Sequence, residues 1–192
     1  MGTTSLLTII AIAFAVEVAR GALGNDAILL SLGALPNSGQ VLGQYWRLLS
    51  FGLLHASLYH FIVNVAFLLW VGPVVERRVG TFAFLTLFLA ASVFSGVAIF
   101  FKHVVLPSAG GSVGASGGVF GLLGAALVLV YRIPPANPGI RRALWLTLLG
   151  GLVVSFLPGV SMAGHVAGLV VGVPAAFFVR LVPAATLTRA GA

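Results

Sequence analysis

The chain has 192 residues, of which 60% are hydrophobic and only 7% are charged, and its formal net charge is +7 at pH 7. Soluble domains carry about 25% charged residues, so this composition excludes an ordinary water-soluble globule and indicates a membrane protein. The ten basic residues stand singly or in pairs between apolar runs. That distribution is typical of charges that orient membrane helices, and it disfavours a nucleic-acid-binding protein. The lack of cysteine excludes disulfides, thiolate metal sites and a cysteine nucleophile.

Apolar stretches long enough to cross a bilayer occur six times, since a span needs about 20 residues. They cover roughly residues 4–23, 53–72, 81–101, 115–132, 140–157 and 162–182. Turns rich in proline and glycine separate them, so we predict one domain, 1–192, with an all-α fold of six transmembrane helices. The first stretch has no clear cleavage site, which favours a spanning helix over a removed signal peptide. The long 24–52 connection carries Tyr45-Trp46 and is predicted to lie in the membrane interface.

The basic residues predict the orientation of this bundle. With six spans, one side holds seven of them, namely Arg77, Arg78, Arg132, Arg141, Arg142, Arg180 and Arg189. The other side holds Arg20, Arg47 and Lys102. The positive-inside rule therefore places both termini in the cytoplasm. Spans two, four and six then begin at the outer face of the membrane.

Polar residues gather near the starts of these three spans: His55, His60, Asn64, Ser116 and His165. Polar groups inside lipid are costly and often mark function, although each can also simply bond a neighbouring helix. Ser116 stands in the run GASGG at 114–118, whose glycines permit close backbone approach and unusual dihedrals. A serine at a helix N-terminus lies where unpaired N–H groups favour negative charge. The motif alone is weak, because small-residue helix contacts look alike.

A general base for Ser116 is predicted on span six. Small residues share one face of each helix: Gly168 and Gly172 with His165 on span six, and Gly117, Gly121 and Gly124 on span four. Such faces allow membrane helices to pack backbone against backbone. If they meet, His165 stands beside Ser116, and the ordinary pKa of an imidazole, about 6.5, suits proton transfer at neutral pH. A hydrogen bond that merely bridges two helices is the alternative for His165.

The remaining polar residues predict how a negative charge is stabilised. His60 and Asn64 share a helix face and, with the Ser116 N–H, could donate to an oxyanion. No acidic residue lies near any of the four histidines in the sequence, so we predict a Ser–His dyad. Packing against Phe120, one turn after Ser116, would hold the imidazole. His103, beside Lys102, is predicted to be a solvated loop residue.

Two other kinds of protease are disfavoured. A zinc protease needs a His-Glu-x-x-His motif, which this sequence lacks, as it lacks His-x-x-x-His. An intramembrane aspartyl protease needs two aspartates, and the chain has only Asp26. If the protein hydrolyses peptides, serine is the remaining nucleophile.

Together these motifs resemble the rhomboid family of intramembrane serine proteases over almost the whole chain. The matching residues are Trp46-Arg47, His55 with His60 and Asn64, Glu76-Arg77-Arg78, Gly114 to Gly117 with Gly121, and Gly164-His165 with Gly168 and Gly172. The resemblance implies a six-helix rhomboid-like bundle of the bacterial type. Phe120 departs from the tyrosine of many relatives, which keeps the stacking on the histidine but loses a hydroxyl. Neither a soluble N-terminal domain nor a seventh span is predicted.

The resemblance also implies residue roles. Ser116 would be the nucleophile, His165 the general base, and His60, Asn64 and the Ser116 N–H the oxyanion hole. Structural roles are implied for His55, for Trp46 and Arg47 in the first loop, and for Glu76 and Arg77 at the inner end of span two.

The expected activity is peptide-bond hydrolysis in single-span membrane proteins, near the outer face of a bacterial inner membrane. No metal, other cofactor or nucleic acid is expected to take part, and span five is the candidate gate for substrates. Two alternatives are a non-catalytic rhomboid-like protein that binds transmembrane helices and a small transporter. The presence of both Ser116 and His165 disfavours the first. Polar residues at one face of the membrane, away from the midplane, disfavour the second.

Overall fold

The computed structural model describes residues 1–41, 43–132 and 137–182, and these are mostly helical. The helices are α1 (Gly2–Ala19), α2 (Asp26–Leu32), α3 (Arg47–Ser50), α4 (Leu58–Val105), α5 (Ser116–Arg132), α6 (Pro138–Val154) and α7 (Met162–Phe178). A 3₁₀ turn covers Phe51–Leu53, and two short strands, β1 (Leu35–Pro36) and β2 (Gly111–Ser112), pair antiparallel. The predicted helical fold class is confirmed. Arg189, which contributed to the predicted orientation, lies outside the described residues.

Each predicted span overlaps a helix or one arm of α4. Gly80 joins the two arms, and its φ of 80° and ψ of 163° interrupt the helix in a conformation that glycine adopts readily. The first arm, residues 58–79, corresponds to span two, and the second arm, residues 81–105, corresponds to span three. By length and composition α1 and α4 can cross a membrane, whereas α5 and α7 are apolar but shorter. Six crossings and cytoplasmic termini therefore stay predictions.

The second arm of α4 is longer than predicted. It continues to Val105 and includes His103, which is buried and whose Nδ1 lies 3.2 Å from the Leu106 carbonyl oxygen. The prediction of a solvated loop histidine was wrong, because the charge of Lys102 suggested a loop where the helix in fact continues.

Helix α5 lies at the centre of the bundle, between α4 and α7. A Cβ on Gly168 would overlap the carbonyl oxygen of Gly117, and one on Gly172 would overlap that of Gly121. The other side of α5 is equally close to the second arm of α4, where a Cβ on Gly121 would overlap that of Ala91. The two glycine faces predicted for spans four and six therefore meet, and this contact fixes the spacing of the helices that carry Ser116 and His165.

We expect Gly168→Ala to lower the stability of the protein by about 1–3 kcal/mol, the usual cost of overpacking a core. The new methyl group would overlap backbone atoms of Gly117, which cannot move aside as a flexible side chain can. Gly150→Ala in α6 is the matched control, because no atom lies within 4 Å of the Cβ it would add. Thermal unfolding in detergent measures the stability of both variants. Equal unfolding temperatures for the two variants would contradict direct backbone packing of α5 on α7.

Arg47 holds the long first connection together. Its Nη1 donates to the carbonyl oxygens of Leu30 and Ala34 at 2.6 and 2.8 Å, and its Nε donates to Gln44 at 2.6 Å. The guanidinium also stacks on Trp46, 4.7 Å from the ring centroid. The pairing of β1 with β2 then joins this connection to the loop before α5. These contacts support the structural role predicted for Trp46 and Arg47.

Glu76 ties α1 to α4. Its carboxylate accepts hydrogen bonds from the N–H groups of Gly2 and Thr3, from the Thr3 hydroxyl and from the Thr81 hydroxyl. Burial alone would raise the pKa of Glu76, but these bonds outweigh it and hold that pKa well below its usual range. The carboxylate thereby satisfies helix-start N–H groups that have no partner within α1. Such contacts are expected of a structural residue, but the role of Glu76 stays a prediction, as does that of the exposed Arg77.

Candidate active site

Ser116 is the first residue of α5 and follows a glycine that shapes the entry to the helix. Gly114 has a φ of 135°, which favours glycine, and its N–H donates to the Phe51 carbonyl oxygen at 2.9 Å. The 3₁₀ turn of the first connection therefore anchors the loop from which α5 starts. Helix starts leave N–H groups without intrahelical partners, and the helix dipole favours negative charge there. The Ser116 hydroxyl thus lies at an end of the helix suited to stabilising an anion.

His165 lies directly beside Ser116. The distance from His165 Nε2 to Ser116 Oγ is 2.8 Å, although the residues are 49 positions apart. His165 is in the first turn of α7, where the side chain of Ser161 caps the helix by accepting from the Gly164 N–H. The imidazole is 6% exposed. The backbone contact between α5 and α7 therefore produces the serine–histidine pair that the glycine spacing predicts.

The imidazole of His165 stacks on Phe120. The two ring centroids are 4.1 Å apart and the planes differ by 7°. Gly151 of α6 packs against the same phenyl ring, since a Cβ there would come within 2.7 Å of Phe120 Cζ. Phe120 is thus held by α6 while it supports the histidine, in the place expected from its position one turn after Ser116.

A second serine, which the sequence reasoning missed, contacts the other side of the imidazole ring. Ser155 Oγ lies 2.6 Å from His165 Nδ1 and 2.7 Å from the Gly151 carbonyl oxygen. Ser155 directly follows α6 and is 4% exposed. The one sequence signal was the short turn at Pro158-Gly159, which brings the end of α6 close to the start of α7. Helical periodicity gave no hint, because Ser155 belongs to no small-residue face that packs against α7.

His60 approaches Ser116 across Gly114. A Cβ on Gly114 would lie 2.7 Å from His60 Cε1, 2.8 Å from His60 Nε2 and 3.7 Å from Ser116 Oγ. The imidazole and the serine hydroxyl therefore border the same small space. Asn64 is buried one turn further along α4, and its Nδ2 donates to the His60 carbonyl oxygen at 2.9 Å. The structure thus brings His60 to Ser116, while the hydrogen bond of Asn64 is within its own helix.

His55 lies behind His60 and is fully buried. Its ring centroid is 5.1 Å from that of His60 and 5.5 Å from that of Phe61. Its backbone N–H donates at 2.7 Å to the carboxylate of Glu17, a fully buried residue of α1. An acid therefore lies near His55 in space, bonded to its backbone, although 38 positions separate the two residues. These contacts support a structural role for His55, behind the ring that reaches Ser116.

The geometry suits nucleophilic chemistry by a serine. Ser116 Oγ has an imidazole nitrogen at hydrogen-bonding distance and a second imidazole nearby that can donate to a developing negative charge. Within residues 1–41, 43–132 and 137–182, no cluster of three histidine or acidic side chains is arranged to hold a metal ion. The chemistry that these side chains can perform is acyl transfer.

Comparison with known proteins agrees with this site. The family model described as the Rhomboid domain matches residues 42–181, a range that contains Ser116, His165, His60 and Asn64. The chain is 31% identical over 169 residues to the rhomboid protease GluP of Bacillus subtilis, covering 83% of this chain and 31% of GluP. It is 30% identical over 176 residues to the rhomboid protease GlpG of Yersinia pestis, covering 90% of this chain and 61% of GlpG. The chain thus spans only part of the length of each relative. On the extent of the domain match, the chain belongs to the rhomboid family.

Proposed function

We propose that this protein is an intramembrane serine endopeptidase with Ser116 as nucleophile and His165 as general base. The observation that carries the proposal is the 2.8 Å contact between Ser116 Oγ and His165 Nε2 at the start of α5. A serine hydroxyl is a weak nucleophile until a base takes its proton, and an imidazole can do so near neutral pH. Similarity to two proteins named rhomboid proteases supports the same activity.

The reaction would proceed through an acyl-enzyme. Ser116 Oγ attacks the carbonyl carbon of the substrate while its proton passes to His165 Nε2. Collapse of the tetrahedral intermediate breaks the peptide bond, and the leaving amine takes that proton. Water activated by the same imidazole then releases the acyl group. His60 Nε2, the Ser116 N–H and the second amide proton of Asn64 are the proposed donors to the oxyanion.

The proposed substrates are membrane proteins with a single transmembrane helix. A helix in lipid keeps its carbonyl groups hydrogen-bonded, so the segment to be cut must unwind locally before Ser116 can attack. The distribution of basic residues supports six crossings with cytoplasmic termini. The proposed place of cleavage is near the outer face of a bacterial inner membrane. No metal or other cofactor is needed for this chemistry.

Helix α6 is the proposed gate for the substrate. It corresponds to span five, packs mainly against α5, and buries only Leu144 among residues Pro138–Val154. A helix with so few buried residues can move at small energetic cost compared with the closely packed α5 and α7. Its movement would open a path from the lipid to Ser116.

Labelling with a fluorophosphonate probe tests the proposed nucleophile. We expect the purified protein in detergent to be labelled on Ser116, and Ser116→Ala to remain unlabelled. Ser108→Ala is the control, because Ser108 is exposed in the loop before β2. An unlabelled wild-type protein with a cooperative thermal unfolding transition would favour the non-catalytic protein that binds transmembrane helices.

A further inference from the structure

The imidazole of His165 bridges two serine hydroxyls, one in α5 and one directly after α6. Its Nε2 contacts Ser116 of α5 at 2.8 Å, and its Nδ1 contacts Ser155, at the end of α6, at 2.6 Å. Ser155 is 4% exposed, so bulk water does not compete for these bonds. The hydrogen-bonding state of Ser155 therefore bears directly on which ring nitrogen of His165 carries the proton.

The Ser155 hydroxyl has one proton, and the partner to which it donates decides which ring nitrogen of His165 is protonated. The Gly151 carbonyl oxygen lies 2.7 Å from Ser155 Oγ and can only accept a hydrogen bond. When Ser155 donates to this carbonyl, as serines one turn along a helix commonly do, its lone pairs face His165 Nδ1. Nδ1 then carries the N–H, and Nε2 presents a free lone pair to the Ser116 hydroxyl. That is the tautomer that a general base requires.

The opposite arrangement would block the reaction. If Ser155 donated to Nδ1, the neutral ring would carry its proton on Nε2 and would present a donor to Ser116. The ring could not then accept the serine proton, and the Gly151 carbonyl oxygen would lose this hydrogen bond. The hydrogen bond from Ser155 to the Gly151 carbonyl oxygen therefore favours the tautomer in which Nε2 can accept the proton of Ser116.

We propose that Ser155 is a positioning residue that fixes the tautomer and orientation of His165. This inference rests on the proposed function of Ser116 and His165. Ser155 would take the place that an aspartate has in a Ser–His–Asp triad, but as a neutral acceptor. A neutral hydroxyl suits this buried site, because an unpaired carboxylate there would carry a large desolvation cost. The bond from Nδ1 strengthens once the ring is protonated, since charge-assisted hydrogen bonds are the stronger kind.

Steady-state kinetics of matched variants test this role. We expect Ser155→Ala to lower kcat about tenfold with KM unchanged, because it removes one hydrogen bond that acts through the base. Ser155→Thr keeps the hydroxyl and should restore most of kcat. Thr147→Val is the control, since Thr147 makes the same kind of bond within α6, to the Ala143 carbonyl oxygen at 2.8 Å, away from His165. Thermal unfolding measures the folded fraction of each variant, and the rates are divided by that fraction.

Two kinetic outcomes would overturn the proposal. One is a kcat for folded Ser155→Ala within twofold of the wild type. The other is a folded Ser155→Thr variant as slow as Ser155→Ala, because the hydroxyl would then not be the group that matters.

Nitrogen NMR of protein labelled at histidine reads the tautomer without any turnover. We expect Nδ1 of His165 to be protonated and Nε2 unprotonated in the wild type and in Ser116→Ala, and a mixture of tautomers in Ser155→Ala. The spectrum of His165→Ala identifies the resonances. A protonated Nε2 in the neutral ring of the wild type would rule out the proposal. The spectrum does not depend on proteolysis. A failed tautomer prediction would therefore overturn the role of Ser155, whereas failed probe labelling would overturn the role of Ser116 as nucleophile.

Discussion

Ser116→Ala and His165→Ala are each expected to lower kcat for cleavage of a transmembrane substrate by about 10³-fold or more. The 2.8 Å contact makes the two side chains one functional unit, because Oγ is a weak nucleophile without the base and Nε2 has no proton to accept without Oγ. The double variant should therefore be no slower than the slower single variant. Such non-additivity is the signature of residues that act together.

Initial rates of cleavage of a fluorescently labelled single-span substrate measure this effect in detergent or proteoliposomes. Ser108→Ala, in the exposed loop before β2, should cleave at the wild-type rate. If the losses of the two single variants multiplied in the double variant, the residues would act independently and the dyad would be wrong. Undiminished cleavage by Ser116→Ala would remove the nucleophile assignment itself.

The contact between Ser116 and His165 could be predicted because its causes are local. Glycines three or four positions apart define one face on each helix, and such faces pack closely in membranes. The structure brings these faces together at Gly117 with Gly168 and at Gly121 with Gly172. The two periodic patterns thus place the serine and the histidine side by side once the two faces meet.

The supporting contacts could not be predicted, since they depend on distances between segments with no shared pattern. Ser155 reaches His165 only because the turn after α6 returns the chain beside α7. Glu17 accepts a hydrogen bond from the backbone N–H of His55, across 38 positions of sequence. In the sequence, neither Ser155 nor Glu17 differs from an ordinary residue in or beside a helix. Side-chain hydrogen bonds between helices become visible only when the helices have been placed.

The ends of the two arms of α4 could not be predicted accurately from the sequence either. The predicted second span ends at residue 72, yet the helix continues past Pro73 to Gly80. Hydropathy reports where lipid-facing residues stop, whereas backbone hydrogen bonds decide where a helix stops, and the two need not coincide.

Loss of the proposed oxyanion donors is the second large effect expected. His60→Ala should lower kcat about 10²-fold, the low end of the usual cost of removing one oxyanion-hole donor. Its Nε2 already borders the space beside Gly114 that the substrate oxygen would enter. Asn64→Ala should cost less, about tenfold, because one amide proton of Asn64 is used on the His60 carbonyl oxygen and only the other can serve the oxyanion.

Separate measurement of kcat and KM distinguishes a donor to the oxyanion from a residue that serves substrate binding or folding. Donors that meet the oxygen only when it becomes negative lower kcat on removal and leave KM unchanged. Tyr59→Phe is the control, since Tyr59 precedes His60 but is 77% exposed on the outside of α4, and it should behave as the wild type. The double variant should lose less than the product of the two single losses, because both side chains are proposed to donate to the same oxygen. A raised KM with normal kcat in His60→Ala would instead place His60 in substrate binding and leave the Ser116 N–H and Asn64 as the remaining proposed donors.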